Sequence, residues 1–175
     1  MTLRLIIPSF ELKKSFLKGL EEYKVNGEEY SFLTQSIDFD EHLQQITDHA
    51  LGKNLPENWV PATTLWLAEN EEWLGKINIR HSLTPHLLSQ GGHIGYTLRP
   101  SARGKGFGTK MLERGLIEAK KISLDKVLIT CDDKNIASAR IIEKNGGVLE
   151  NIVERQDGEL EGIQEGKTRR YWITL

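Results

Sequence analysis

The stretch RPSARGKGFGTKML, residues 99–112, decides the fold. It sets glycines at 104, 106 and 108 between an apolar, strand-like run ending at Leu98 and a helical pattern that begins near Phe107. In that pattern Gly108, Met111, Leu112, Gly115, Leu116 and Ala119 recur at the spacing of one helix face. A glycine inside a helix costs about 1 kcal/mol relative to alanine, so this helix is expected to press its backbone close to a sheet. The first turn of a helix carries unpaired N–H groups and the positive end of the macrodipole. Glycine permits φ > 0 and a close approach to the backbone. With Arg103 and Lys105 alongside, the turn is a candidate pyrophosphate cradle. Its spacing is neither G-x-x-x-x-G-K-[ST] nor G-x-G-x-x-G. A turn rich in glycine only for tight packing is the alternative.

Outward from this turn the chain reads as alternating strands and helices. Upstream, TLRLIIP is a short strand stopped by Pro8, and Ser9 is placed to cap a helix carrying Phe16, Leu17, Leu20 and Tyr23. Asn26-Gly27 ends that helix, and a weaker one follows over Asp40–Leu51. ATTLWLAE and EEWLGKINIRH read as strands joined by a tight turn, SLTPHLLSQGG as a loop, and HIGYTLRP as a strand that Pro100 terminates. Downstream, DKVLITCD is a buried strand and NIASARIIEKN a helix stopped by Gly146-Gly147. GVLENIVER and TRRYWITL are the last two strands, joined by the polar hairpin QDGELEGIQEGK.

Composition removes several classes of function. The 175 residues suit one domain with a real core. Lysine plus arginine is 23 and aspartate plus glutamate 25, so there is no basic footprint for nucleic acid and none is expected as a partner. Cys131 is the single cysteine, which excludes an internal disulfide and a cysteine-based zinc site; no metal is expected. No apolar run approaches the roughly 20 residues of a membrane span, and the N-terminal apolar stretch is too short for a signal peptide. A cytoplasmic protein without a membrane partner is the expectation.

A second motif joins the first. TCDDKNIASARIIEKNGG supplies Asn135, Ser138, Glu143-Lys144 and Gly146 after a strand and across a helix. Together the two motifs resemble the GNAT acyltransferase superfamily. Its pyrophosphate motif [Q/R]-x-x-G-x-[G/A] is met at every fixed position by Arg103 to Gly108. The resemblance is closest over about residues 74–152, and in motif it is nearest to the branch that contains the ribosomal-protein N-terminal acetyltransferases. It implies an α/β fold of the mixed α+β kind. The central sheet would be mixed, mostly antiparallel and splayed between the fourth and fifth strands, with helices on both faces and a single domain over residues 1–175. It also implies acetyl-CoA as co-substrate. The backbone of Tyr96, Thr97 and Leu98 would pair with the pantetheine arm. Arg103, Gly104, Lys105, Gly106, Phe107, Gly108 and Thr109 would take the pyrophosphate, and Asn135 the pantetheine amides.

The implied reaction is direct transfer of acetyl from the thioester to a primary amine of a small molecule or a protein N-terminus. It needs amine deprotonation, an oxyanion donor and a route for thiolate departure. The Leu98 backbone N–H is the candidate oxyanion donor. Many family members carry a tyrosine seven residues after the motif asparagine. Here that position is Ile142, which has no proton to give. Ser138 is the substitute candidate at the thiolate, against the plainer reading that a serine in a first helical turn bonds the backbone.

His93 and His81 are the candidate bases, with His86, Glu72 and Glu150 behind them and a water chain as the option without a dedicated base. Tyr171 and Trp172 read as core. The acidic residues Asp157, Glu159, Glu161 and Glu165 read as a solvated hairpin tip, with attraction of a cationic amine as the alternative. Two other functions compete: a non-catalytic acyl-CoA-binding or sensing module, which Ile142 motivates, and a phosphate-binding α/β domain that does not use CoA. The acceptor is not legible, and a homodimer is one expectation for the assembly.

Overall fold

The computed structural model describes residues 2–28, 38–155 and 166–175. In chain order the strands and α-helices are β1 Leu3–Ile6, α1 Lys13–Val25, α2 Phe39–Ala50, β2 Ala62–Glu69, β3 Glu72–Arg80 and α3 Pro85–Ser89. There follow β4 Ile94–Leu98, α4 Phe107–Lys121, β5 Lys126–Asp132, α5 Ile136–Lys144, β6 Val148–Arg155 and β7 Gly166–Thr174. Seven strands form one sheet in the order β1-β2-β3-β4-β5-β7-β6. Every neighbouring pair is antiparallel except β4 and β5. The fold class expected from the resemblance is the one observed.

Period-two alternation along the strands sorts side chains onto two faces. One face carries Leu67, Ile77, Ile79, Ile94 and Ile129 and is covered by α4 through Met111 and Leu112. Gly115 explains the glycines in α4: a Cβ there would collide with the Ile77 side chain. The opposite face is aromatic. Phe16 from α1 stacks on Trp66 at 4.7 Å and meets Trp73 edge-on at 5.1 Å, and Phe39 from α2 closes the cluster.

Three local expectations change. Ser9 makes no side-chain cap, and a 3-10 turn over Phe10–Leu12 leads into α1 instead. Leu17 is exposed, because α1 buries the narrower face Phe16, Gly19 and Tyr23. The segment read as a loop before β4 contains α3. Thr84 caps it by accepting the Leu87 N–H at 3.2 Å, and Pro85 opens it. Five residues are too few for a helical period to show in sequence.

Arg99, directly after β4, ties the two halves of the fold together. The residue is buried, at 3% exposure. Its Nε donates to Glu22 Oε1 at 3.1 Å and its Nη1 to the Trp73 carbonyl at 3.0 Å. Glu22 Oε2 in turn accepts the Ser101 N–H at 3.0 Å. These donors pull the Glu22 carboxyl down to about 2, chiefly through Arg99.

The depressed pKa fixes a sign. A carboxylate acidified by folding stabilises the native state above its unfolded pKa, and that contribution disappears as pH falls through the folded value. The Tm is therefore expected to fall between about pH 4.5 and pH 2. Glu22→Gln should lower stability near neutral pH by about 1.5–3 kcal/mol, the scale of a lost hydrogen bond to a charged group. It should also flatten the acid limb. Thermal melts across that pH range check both.

Candidate functional site

The candidate site lies where β4 and β5 part. They pair in parallel only at Ile94 and Ile129. The closed end is tied by His93, whose N–H donates to the Leu128 carbonyl at 2.7 Å while its Nδ1 accepts the Leu128 N–H at 2.9 Å. Gly92 is held against the same carbonyl, where a Cβ would collide, at a φ of +62°. Beyond Ile94 and Ile129 the strands share no register partners, so Tyr96–Leu98 and Cys131–Asp132 edge an open V.

The β3–β4 ladder decides which backbone groups face that V. The Arg99 N–H bonds Leu74 and the Arg80 N–H bonds His93. Alternation along an antiparallel pair then turns Gly95 and Thr97 toward β3, and Tyr96 and Leu98 toward the V. A Cβ on Gly75 would strike the Thr97 carbonyl, as that orientation requires. Thr97 thus spends its backbone on Lys76, and the expected three-residue edge for a pantetheine arm reduces to Tyr96 and Leu98. The Leu98 carbonyl is also engaged, accepting from Tyr23 OH at 2.6 Å and from Arg103 Nε at 3.1 Å. The Leu98 N–H remains as the group it can offer.

At the open end stands the glycine turn. Gly104 and Gly106 have φ of +73° and +80°, and a Cβ on either would meet nothing within 4 Å. Their requirement is conformational, not tight packing. Gly106 occupies the N-cap of α4 and has no side chain to cap it. The N–H groups of Phe107, Gly108 and Thr109 therefore point out of the first turn without intrahelical acceptors. Lys105 is exposed beside them. Arg103 is placed differently from the expectation: its two Nη atoms each donate to a Glu28 carboxylate oxygen at 2.7 Å, and its guanidinium lies over the Tyr23 ring. It braces the turn against α1 in place of reaching toward an anion.

Opposite the turn, α5 brings in Ser138. Asn135 caps this helix by accepting the Ser138 N–H at 3.0 Å. The Ser138 hydroxyl is not spent on its own helix; it lies 2.8 Å from Tyr96 OH across the V. Burial pushes the Tyr96 phenol up to about 12 and raises the Cys131 thiol, so both groups keep their protons at neutral pH. Ile142 is fully buried in the core.

The histidines do not gather here. His93 is 7% exposed with Nδ1 committed to the backbone, and burial together with the Arg80 charge lowers its pKa. His81 Nε2 is bonded to Thr63 Oγ1 at 2.8 Å, at the same closed end. Leu98 lies five residues past His93, roughly 16 Å along a strand. His86 is exposed on α3 and Glu72 at the β2–β3 turn, while Glu150 pairs with Arg170 at 2.7 Å. Tyr171 is core as expected; Trp172 is only half-buried, edge-on to His93. The acidic hairpin residues from Asp157 to Glu165 lie outside the described residues. Sequence reading missed the Tyr96 side chain, Tyr23 and Glu28. Alternation in IGYTL held a signal for the first of these, since Tyr96 and Leu98 must share a face.

Among the described residues no helix is long and apolar enough to cross a membrane, and no group of His, Cys, Asp or Glu is placed to hold a metal ion. The family model of the acetyltransferase (GNAT) domain matches residues 21–148. No curated protein matches. Among solved structures, the microcin C7 self-immunity acetyltransferase MccE, in complex with acetyl-CoA and AMP, has a TM-score of 0.71 at 18% identity, covering 99% of this chain and 92% of that one. The ribosomal L7/L12 alpha-N-protein acetyltransferase RimL, in complex with coenzyme A, has a TM-score of 0.68 at 20% identity, covering 100% and 95%. A ribosomal-protein-alanine N-acetyltransferase from Brucella melitensis has a TM-score of 0.67 at 14% identity over 100% of both chains.

The register at the V predicts a contrast between two glycines. Gly75→Ala drives a methyl into the Thr97 carbonyl and Leu98, and should destabilise by about 1–3 kcal/mol, the usual cost of overpacking. Gly95→Ala meets open space and should leave the Tm within about 2 °C of wild type. Paired thermal melts check this.

Proposed function

The chain belongs to the GNAT acetyltransferase family, and on that footing we propose that it moves the acetyl group of acetyl-CoA to a primary amine by direct transfer. The observation that carries this reading is the alignment of three features along one cleft: unpaired N–H groups at the start of α4, the inward-facing N–H of Leu98, and the Ser138–Tyr96 hydroxyl pair. The turn from Gly104 to Thr109 takes the pyrophosphate through backbone N–H groups, with Lys105 as the cation and Arg103 as a brace. Tyr96 and Leu98 present backbone groups to the pantetheine arm. The exposed amide of Asn135 reaches it from the other side. α4 and α5 close one face of the V, so the acceptor enters from the face that carries α1 and α2.

The ammonium first loses a proton to water in the open groove; the neutral amine nitrogen then attacks the thioester carbonyl carbon and gives up a second proton to water from the tetrahedral intermediate. The Leu98 N–H stabilises the oxyanion. As the C–S bond breaks, its electron pair goes to sulfur. Ser138 Oγ gives the departing sulfur a proton and recovers one from Tyr96 OH, which solvent restores. The products are the N-acetyl amide and CoA thiol. Ser138 and Tyr96 together thus replace the hydroxyl that Ile142 cannot supply.

Two experiments test the reading. In a thermal-shift titration, acetyl-CoA at a hundredfold excess over Kd should stabilise the protein by about 2.7 kcal/mol. Gly106→Glu, which adds an anion and a side chain at φ +80°, should abolish that shift. ATP in place of acetyl-CoA as the stabilising ligand would overturn CoA binding. In a thiol-release assay with primary amines, Ser138→Ala should lower kcat about 10²-fold, the scale of general acid catalysis, with little change in KM for acetyl-CoA. Tyr96→Phe should lower it about tenfold. Full kcat in Ser138→Ala would remove the relay.

A further inference from the structure

A cavity of about 380 Å³ lies at the end of β5 opposite the open V. His93, Leu124, Asp125, Lys126 and Trp172 are among the residues that line it. Lys126 and Asp132 bound β5, about 20 Å apart along the strand, so a small molecule held here does not reach the open end of the V. The turn from α4 into β5 makes one wall, and Ser123 holds a φ of +65° there. Lys126 pairs with Thr174 and Leu128 with Trp172, which sets Lys126 and Trp172 on one face of the sheet. The Lys126 Nζ lies 4.6 Å from the centre of the Trp172 ring. The volume is that of a small-molecule site.

His93 gives the cavity a directional donor. The residue is 7% exposed, and burial together with the Arg80 charge lowers its pKa, so the ring is neutral at pH 7. Its Nδ1 accepts the Leu128 N–H at 2.9 Å, which puts the ring proton on Nε2. Among the described residues nothing accepts that N–H. A buried donor without an acceptor is costly, and this one belongs to a ring that borders the cavity. Asp125 and Lys126 add one charge of each sign, and neither forms an ion pair among the described residues. The Trp172 ring and Leu124 supply an apolar wall.

We propose that this cavity binds a free α-amino acid with an apolar side chain. The ligand carboxylate accepts from His93 Nε2–H and from the Lys126 ammonium, the ligand ammonium donates to the Asp125 carboxylate, and the side chain lies against Trp172 and Leu124. Hydrogen bonds with an ionised partner are the stronger class. The two opposite charges disfavour simpler ligands. A carboxylic acid without an ammonium meets the like charge of Asp125. An amine without a carboxylate meets the like charge of Lys126 and leaves His93 Nε2–H without an acceptor. The site is distinct from the acceptor groove, because the length of β5 separates it from the open V. The proposal therefore stands apart from the acetyl-transfer reading.

Isothermal titration of the full chain, without acetyl-CoA, tests this with three probes: L-leucine, 4-methylpentanoate, which lacks the ammonium, and 3-methylbutylamine, which lacks the carboxylate. L-leucine is expected to bind about tenfold or more tightly than either analogue. Lys126→Met and Asp125→Asn should each weaken L-leucine about tenfold, while Lys14→Met, which removes an exposed cation on α1, should leave it within about twofold. Thermal melts check that the variants fold; should either fail, the other variant and the probe comparison decide. Equal binding of the three probes, no binding of L-leucine, or L-leucine binding that survives the loss of Asp125 or Lys126 overturns the proposal.

Discussion

Two parallel strands that pair at one point and then separate are the constraint on which the rest of this structure depends. A parallel pair left to itself zips, because every unpaired N–H and C=O buried along it is costly. Here the zip stops after Ile94 and Ile129. The closed end is tied where His93 exchanges two hydrogen bonds with Leu128 and Gly92 lets the backbones touch. The groups freed by the divergence are the ones a thioester cofactor needs: polar backbone along one wall and an N–H near its end.

The open end is held as firmly as the closed one, by other means. The Leu98 carbonyl would be a loose acceptor at a strand end, but Tyr23 OH and Arg103 Nε both reach it. Arg103 is in turn gripped bidentately by Glu28, and Arg99 is held by Glu22 Oε1. The first of these pairs is largely exposed and adds little to stability on its own. Its value is positional, since it fixes the strand edge, the glycine turn and the end of α1 in one arrangement.

Much of this was legible in the sequence, and the failures have a common cause. The glycine turn, its helix and the Asn135–Ser138 cap are local in the chain, so spacing alone exposes them. Gly115 announced close packing on a strand that sequence could not name, which proved to be Ile77 on β3. His93 was read as lining the site because it opens β4, but strand membership does not say which end of a V a residue occupies. Thr97 was grouped with its neighbours because period-two alternation governs backbone direction as well as side chains, and the phase is set by β3. Arg103 matched a phosphate motif, yet its partner Glu28 lies 75 positions away. Tyr96 was noticed for its backbone only, since its hydroxyl gains meaning from a helix that arrives 42 residues later.

The ties between α1 and the residues after β4 bear on how this scaffold can be rebuilt. Grafting a foreign N-terminal segment onto the cofactor-binding half is an obvious route to a new acceptor preference, because the first 60 residues carry no part of the glycine turn. Glu22, Tyr23 and Glu28 make that division false. A transplanted α1 lacking them would leave Arg99 buried without its carboxylate and the Leu98 carbonyl short of a donor, so the cofactor cleft would deform although none of its own residues had changed. A workable junction keeps Glu22, Tyr23 and Glu28 with Arg99 and Arg103 as one inherited unit and exchanges only what lies outside it.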